Sequence, residues 1–126
     1  MANPNIVGVT TINGVTAGQE ISDVAIATQD DSTTNAIAHN DGSSGKVFKV
    51  NALYISNVDG SSTVVVDVAI SDQSDIFHIA KGVSVPPNST LDVLSKPIYL
   101  LEGVGLYLRA GATDDAEAVV SYEEIS

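Results

Sequence analysis

Residues 46–57 read KVFKVNALYISN and carry the strongest structural signal in the chain. Apolar and polar residues alternate along this segment, and β-branched and aromatic side chains are frequent, a pattern typical of a half-buried β-strand. The alternation places Leu53 and Ile55 on one face, which we expect to be buried. A helical period is not sustained anywhere in the sequence, and only residues 19–27 would allow a helical turn or two.

The same alternation recurs on both sides of this segment. We predict further strands over residues 63–70, 76–85, 90–94, 96–101, 106–110 and 116–125, and shorter ones over 5–12, 24–28 and 35–39. Turn residues after 46–57 and after 96–101 predict that each of these strands forms a β-hairpin with the next one. The resulting fold prediction is all-β: a single antiparallel β-sandwich of eight or nine strands, either jelly-roll-like or Ig-like.

The chain length predicts one domain. At 126 residues we expect a single β-sandwich domain over residues 1–126, with residues 1–15 as an extended N-terminal arm that joins a neighbouring subunit. Arg109, the chain's only arginine, is predicted to pair with a carboxylate within the chain or across an interface, and of these two we choose the interface. The interface residues predicted on the arm are Asn3, Asn5, Ile6, Val7 and Val9.

The charge balance excludes two classes of partner. Five Lys and Arg residues stand against sixteen Asp and Glu, which gives a formal net charge of −11. Nucleic-acid affinity comes largely from basic residues at phosphates, and anionic membrane surfaces also attract basic segments. We therefore expect neither a nucleic-acid partner nor a membrane partner. Separately, the N-terminus lacks the basic and apolar regions of a secretory signal.

Sequence motifs give no support for catalysis. The GSSGK stretch at residues 42–46 has two residues between its glycines, whereas a phosphate-binding loop needs four. His78 follows Asp75 by three residues, but the Gly-x-Ser-x-Gly motif of a nucleophilic serine is missing. Cysteine is absent, and the acidic pairs at 30–31, 72/75 and 114–115 lack the spacing of a calcium-binding loop. We predict a protein that is not an enzyme, with no catalytic residue, no cofactor and no metal site.

Several segments resemble a known class of virion proteins. Residues 46–60, 85–103 and 116–126, with the opening residues 1–6, are similar to small virion structural proteins of tailed bacteriophages, especially contractile-tailed phages of marine cyanobacteria. The similarity is weakest over residues 18–45. Val104-Gly105 stands where those proteins usually have Asp-Ser, which affects a turn. The resemblance implies a particle component, and it offers no catalytic residues to carry over.

This resemblance leads to an expected function. We expect a capsid decoration (cement) protein, made in the host cytoplasm, that binds the major capsid protein as a homotrimer and stabilises capsomer junctions on the outer head surface. The negative charge would repel packaged DNA, which favours the outer surface of the virion over its lumen. One alternative is a low-copy neck, tail, baseplate or fibre-head protein. Another is a host- or carbohydrate-adhesion module, which would carry exposed aromatic residues clustered in loops.

Overall fold

The alternating segments form nine β-strands in a computed structural model that describes residues 8–26 and 35–126. Within these ranges no helix is present, and hence none that could cross a membrane. The strands are β1 (Ile12–Glu20), β2 (Ala36–His39), β3 (Val47–Asn57), β4 (Val64–Ser71), β5 (Ile76–Val85), β6 (Thr90–Asp92), β7 (Ile98–Leu100), β8 (Gly105–Ala110) and β9 (Ala116–Ile125).

The strands form two antiparallel sheets that pack face to face. Sheet A has the order β1-β9-β3, and both β6 and β7 pair with the far side of β3. Since β6 lies beside Tyr54–Ser56 and β7 beside Phe48–Val50, these two short strands are the halves of one interrupted edge strand. Sheet B has the order β2-β8-β4-β5.

The pairing follows a single topological pattern. The first strand pairs with the last (β1 with β9), the second with the last but one (β2 with β8), β3 with β6 and β7, and β4 with β5. The first half of the chain therefore pairs with the second half, as in one long hairpin. This hairpin folds over on itself, and the additional pairs β9–β3 and β8–β4 complete the two sheets. This arrangement is a jelly roll. The predicted antiparallel sandwich is confirmed, and of its two variants the jelly roll is the one that forms.

Several local predictions are wrong. Neither predicted hairpin forms, because β3 and β7 lie in sheet A whereas the strands that follow them, β4 and β8, lie in sheet B. Turn residues reverse the chain but do not select the sheet in which it continues. β1 begins at Ile12 and runs to Glu20. Of the strand expected over residues 5–12, residues 8–11 are therefore not in a strand, and residues 5–7 lie outside the described residues. Residues 21–26 form neither the helical turn expected over 19–27 nor the strand expected over 24–28, and residues 27 and 28 lie outside the described residues.

The core lies between the two sheets, where alternate side chains of each strand meet. Leu53 and Ile55 are both fully buried, which confirms the face predicted for β3. Sheet B faces them with aliphatic residues of its two central strands, and the largest of these are Val66, Val68, Leu106 and Leu108. This apolar layer accounts for the burial alternation of β9 at residues 116–120, whereas β4 and β8 are buried along most of their length.

Buried asparagines hold the points where the chain crosses between sheets. Asn35 precedes β2, Asn40 follows β2, and Asn57 ends β3, and each side chain is at most 2% exposed. In each case the side-chain amide donates hydrogen bonds to two main-chain carbonyls, at 2.7–3.1 Å. These bonds satisfy carbonyls that no ladder reaches at the crossings.

Candidate functional site

The predicted N-terminal arm is only partly described. Asn3, Asn5, Ile6 and Val7 lie outside the described residues, and Val9 is half-buried. The main-chain N–H groups of residues 10 and 11 donate to the carbonyl of Ser126 at 2.9 and 3.0 Å. Residues 12–15 belong to β1 and pair with β9. Residues 10–15 are therefore attached to the chain's own C-terminal strand.

Arg109 has partners within its own chain. Its Nη1 lies 3.8 Å from Oδ2 of Asp67, and its Nε donates to the carbonyl of Asp23 at 3.1 Å. Lys81 Nζ approaches the same Asp67 oxygen at 3.6 Å, and the Gly82 N–H donates to the other oxygen at 2.7 Å. Asp67 is buried, so these groups compensate the desolvation of its carboxylate. The cluster joins β8, β4 and β5 and gives Arg109 a carboxylate partner within its own chain, while its interface role stays a prediction.

The residues considered for catalysis are engaged in local contacts or exposed. His39 Nδ1 lies 3.2 Å from Asp41 Oδ1, and its ring packs edge-on against Tyr107, whereas His78 is exposed on β5. In the GSSGK stretch, Lys46 Nζ donates to Glu124 Oε1 at 2.8 Å, and this bond raises the pKa of Lys46. The stretch therefore ends in an ion pair with the chain's own C-terminal strand.

The acidic pairs serve different local roles. Asp30 and Asp31 lie outside the described residues. Asp72 Oδ1 accepts the main-chain N–H groups of Asp75 and Ser74 at 2.9 and 3.0 Å, and these two bonds lower the pKa of Asp72. This carboxylate thus caps its own turn. Over residues 8–26 and 35–126, no group of three or more acidic or histidine side chains is placed to hold a metal ion.

A cluster of like charges lies at the C-terminal end of β1. Asp114 raises the pKa of Glu20, first through a side-chain hydrogen bond and then through charge repulsion, and Glu117 on β9 adds a smaller repulsion. All three side chains are exposed. The five basic residues of the chain are at positions 46, 49, 81, 96 and 109. Those at 46, 81 and 109 form ion pairs with acidic side chains other than these three.

The outer face of sheet A is open and carries large apolar side chains among charged ones, with Asp92 opposite Tyr54 and Glu123 opposite Lys49. Tyr54 on β3 lies opposite Val119 on β9, and the two are 43% and 44% exposed. On β7, Tyr99 lies opposite Lys49 and is 49% exposed, and Leu101 follows directly after the strand at 44%. Sequence alternation places Tyr54 on the exposed face of β3. It does not show which residues of neighbouring strands lie beside Tyr54 on that exposed face.

The outer face of sheet B is closed at its centre. Ala69, Ser71 and Tyr107 lie on the side of β4 and β8 that faces away from the core, yet each is at most 1% exposed. Gly105 is also buried there, and a Cβ at this position would lie 2.7 Å from the Tyr107 ring and 2.8 Å from the His39 ring. Val65, near the start of β4, is 45% exposed, so the two outer faces differ in accessibility at their centres and not over their whole area.

Comparison with known proteins adds no relative to this description. No family model matches the chain, and no curated protein matches it either. The candidate site is therefore defined by geometry alone: a jelly-roll sandwich with an open apolar face on sheet A and an acidic cluster at the end of β1.

Proposed function

We propose that the protein is a capsid decoration protein of a tailed phage, a homotrimer on the outer head surface that stabilises junctions between capsomers. The observation that carries the proposal is the open outer face of sheet A, with Tyr54, Tyr99, Val119 and Leu101 exposed on it. Protein interfaces are enriched in tyrosine, and a few such aromatic anchors supply most of the binding energy. The partner proposed for this face is the major capsid protein.

The charge distribution supports the outer surface of the particle as its location. The chain carries a net charge of −11, and three of its five basic side chains are engaged in ion pairs. A protein with few uncompensated basic residues gains little from phosphate contacts and is repelled by packaged DNA. The same negative charge would keep subunits soluble before they bind to the outer surface of a filled head.

Capsid stabilisation would follow from mass action. A protein that binds the assembled lattice, but not dispersed subunits, shifts the equilibrium towards the lattice by its binding free energy. No cofactor or catalytic step is needed for this role. The rigid sandwich suits it, because a preorganised surface loses little conformational entropy on binding.

Of the two alternatives, the adhesion module is the less favoured. The exposed aromatic side chains of the described residues are Tyr54, Phe77 and Tyr99, and they lie on strands of two different sheets. A loop cluster of aromatic residues, which a sugar-binding platform needs, is not formed by these three. A low-copy neck, tail, baseplate or fibre-head protein would use the same fold and the same face at a different position in the virion. Copy number distinguishes this alternative from a decoration protein.

Copy number is the direct test of the proposal. Quantitative mass spectrometry of purified virions, normalised to the major capsid protein, should give a ratio near one copy per shell subunit. A few copies per particle would overturn the decoration role in favour of the neck, tail or fibres. Absence from the virion would overturn both.

A pair of variants tests the proposed face. Tyr54→Ala with Tyr99→Ala should weaken rebinding to capsids that lack the protein by about a hundredfold, because interface tyrosines contribute roughly 1–2 kcal/mol each. Phe77→Ala is the matched control, since Phe77 is an aromatic residue of similar exposure on sheet B. Equal rebinding of the two variant proteins would mean that the outer face of sheet A is not the contact surface.

A further inference from the structure

One edge of sheet A is regular and exposed, and within residues 8–26 and 35–126 no other strand pairs with it. β1 pairs with β9 over nine consecutive residues without a register shift. Just before β1, Thr11 and Ser126 exchange both main-chain hydrogen bonds, each at 3.0 Å. Because such pairs alternate with non-hydrogen-bonded pairs along an antiparallel ladder, the even-numbered residues of β1 direct their N–H and C=O groups away from β9. These residues are Ile12, Gly14, Thr16, Gly18 and Glu20.

The other edges of the described sheets are protected against strand addition. β2 has four residues and a register shift, and β6 and β7 have three residues each, with Pro97 directly before β7. β5 is longer, but its pairing with β4 has two register shifts, and Gly82 adopts a φ of +65° beside the exposed Lys81. Short strands, bulges, lysine and proline are the usual devices that prevent edge-to-edge association.

β1 carries none of these devices. It contains no proline, lysine or arginine, and a Cβ at Gly14 would have no atom within 4 Å. The small residues at its centre leave the free edge accessible to another backbone. A protein that protects three edges and leaves its longest regular edge open has a template for strand addition, in which main-chain hydrogen bonds supply the affinity.

The charges around this edge indicate what pairs with it. Glu20, at the C-terminal end of β1, lies directly opposite Glu117 on β9, and a cationic group would relieve the repulsion that Glu117 and Asp114 exert on it. We propose that the free edge of β1 pairs antiparallel with an extended segment of a partner protein whose N-terminal end, beside Glu20, carries Lys or Arg. The inference rests on the proposed function only in taking that partner to be another virion protein.

A second copy of the chain is the less suitable occupant. β1 of a second copy has no basic residue to offer to Glu20 of its neighbour. Charge complementarity therefore favours a different protein as the source of the strand.

Synthetic peptides and edge variants test the proposal. The probe is a peptide of alternating Thr and Val, equal in length to β1, with lysines at its N-terminal end. A matched peptide carries glutamates in their place. Thr16→Pro removes one outward N–H while leaving the bonds to β9 in place, because proline is compatible with the solvent side of an edge strand. Thr16→Ala is the control, since both variants lose the 3.4 Å contact between the hydroxyls of Thr16 and Ser121.

The lysine peptide should bind the unmodified protein and Thr16→Ala equally well in isothermal titration calorimetry. Its affinity for Thr16→Pro should fall about tenfold or more, the equivalent of one or two lost hydrogen bonds. The glutamate peptide should bind at least tenfold more weakly than the lysine peptide. Thermal unfolding verifies that Thr16→Pro is folded. If Thr16→Pro does not fold, Gly14→Pro, which also removes an outward N–H, is used in its place.

Three results would overturn the inference. These are no binding of the lysine peptide, equal affinity of the two peptides, and equal affinity of Thr16→Pro and Thr16→Ala. Sedimentation could give a fourth such result. If the unmodified protein is a dimer and the Thr16→Pro variant is a monomer, the edge pairs with a second copy of the chain. Each of these results leaves the copy number in virions unaffected, so failure of this inference is distinguishable from failure of the proposed function.

Discussion

Replacement of Asn57 by alanine should destabilise the crossing from sheet A to sheet B. The Asn57 side chain, on a residue only 2% exposed, donates to the carbonyls of Ser62 and Val85 at 2.8 and 2.9 Å. Its Oδ1 accepts the main-chain N–H of Asp59 at 3.0 Å. Alanine removes all three bonds and leaves two carbonyls and one N–H without this partner. At about 1 kcal/mol for each bond, the free energy of unfolding should fall by about 3 kcal/mol.

This loss is large against the total stability of a small domain, about 5–15 kcal/mol. Urea unfolding followed by circular dichroism measures it, and the thermal midpoint should fall by about 10 °C. Asn51→Ala is the matched control, because the Asn51 side chain has a single bond, to Glu123 at 3.3 Å. The reasoning would be refuted if the two variants differed by less than about 1 kcal/mol, since a buried bridging amide would then be worth no more than a surface contact.

Two further predictions concern stability. Glu20→Gln should raise the free energy of unfolding at neutral pH, because the pKa of Glu20 is raised in the folded protein and the folded state is penalised once this group ionises. The gain should vanish below the ordinary pKa of 4.5, and parallel pH profiles of the variant and the unmodified protein would contradict it. Gly105→Ala should prevent soluble folding, because the new Cβ would lie 2.7 Å from the Tyr107 ring, whereas Gly18→Ala, whose Cβ would have its nearest neighbour at 3.7 Å, should fold. Comparison of soluble yields tests this, and equal yields would show that the Tyr107 ring moves aside.

The strands of the second half are well predicted from sequence, because their alternation reflects one face on the core. The predicted strand over 46–57 and the observed β3 differ by one residue, and the limits of β5 and β9 agree with those predicted. Strand pairing is not predictable in the same way. A turn such as Val58-Asp59-Gly60 connects strands of one sheet or of two, and the buried Asn57 that stabilises the crossing here has one partner, Val85, that lies 28 residues away.

β1 is not predicted from the sequence, because apolar and polar residues do not alternate clearly along it. Its sequence, INGVTAGQE, has two glycines and few large apolar residues, and none of its residues is fully buried. An edge strand that packs only lightly on the core gives a weak alternation signal. The nine-residue register with β9 therefore forms because β9 presents a complete ladder, and local sequence preference contributes little.

The candidate site is even less visible from sequence than the strands. Four of the six predicted interface residues lie outside the described residues, and Arg109 has a carboxylate partner within its own chain. The open face of sheet A combines residues of β3, β7 and β9, and the free edge of β1 stands out because the other described edge strands carry protective devices that β1 lacks. Both features depend on the strand order, which the sequence pattern does not specify.

The contrast between the two outer faces connects the proposed function to the free edge. In sheet B, Ala69, Ser71 and Tyr107 on the outer side of the central strands are buried, and Val65 near the start of β4 is the exposed exception at 45%. In sheet A, the equivalent central positions include Tyr54 and Val119, and both are exposed. The unprotected edge belongs to this same sheet, since β1 pairs with β9. A partner that contacts the face and adds a strand at the edge would make two attachments, and the second would form at the high effective concentration that the first creates.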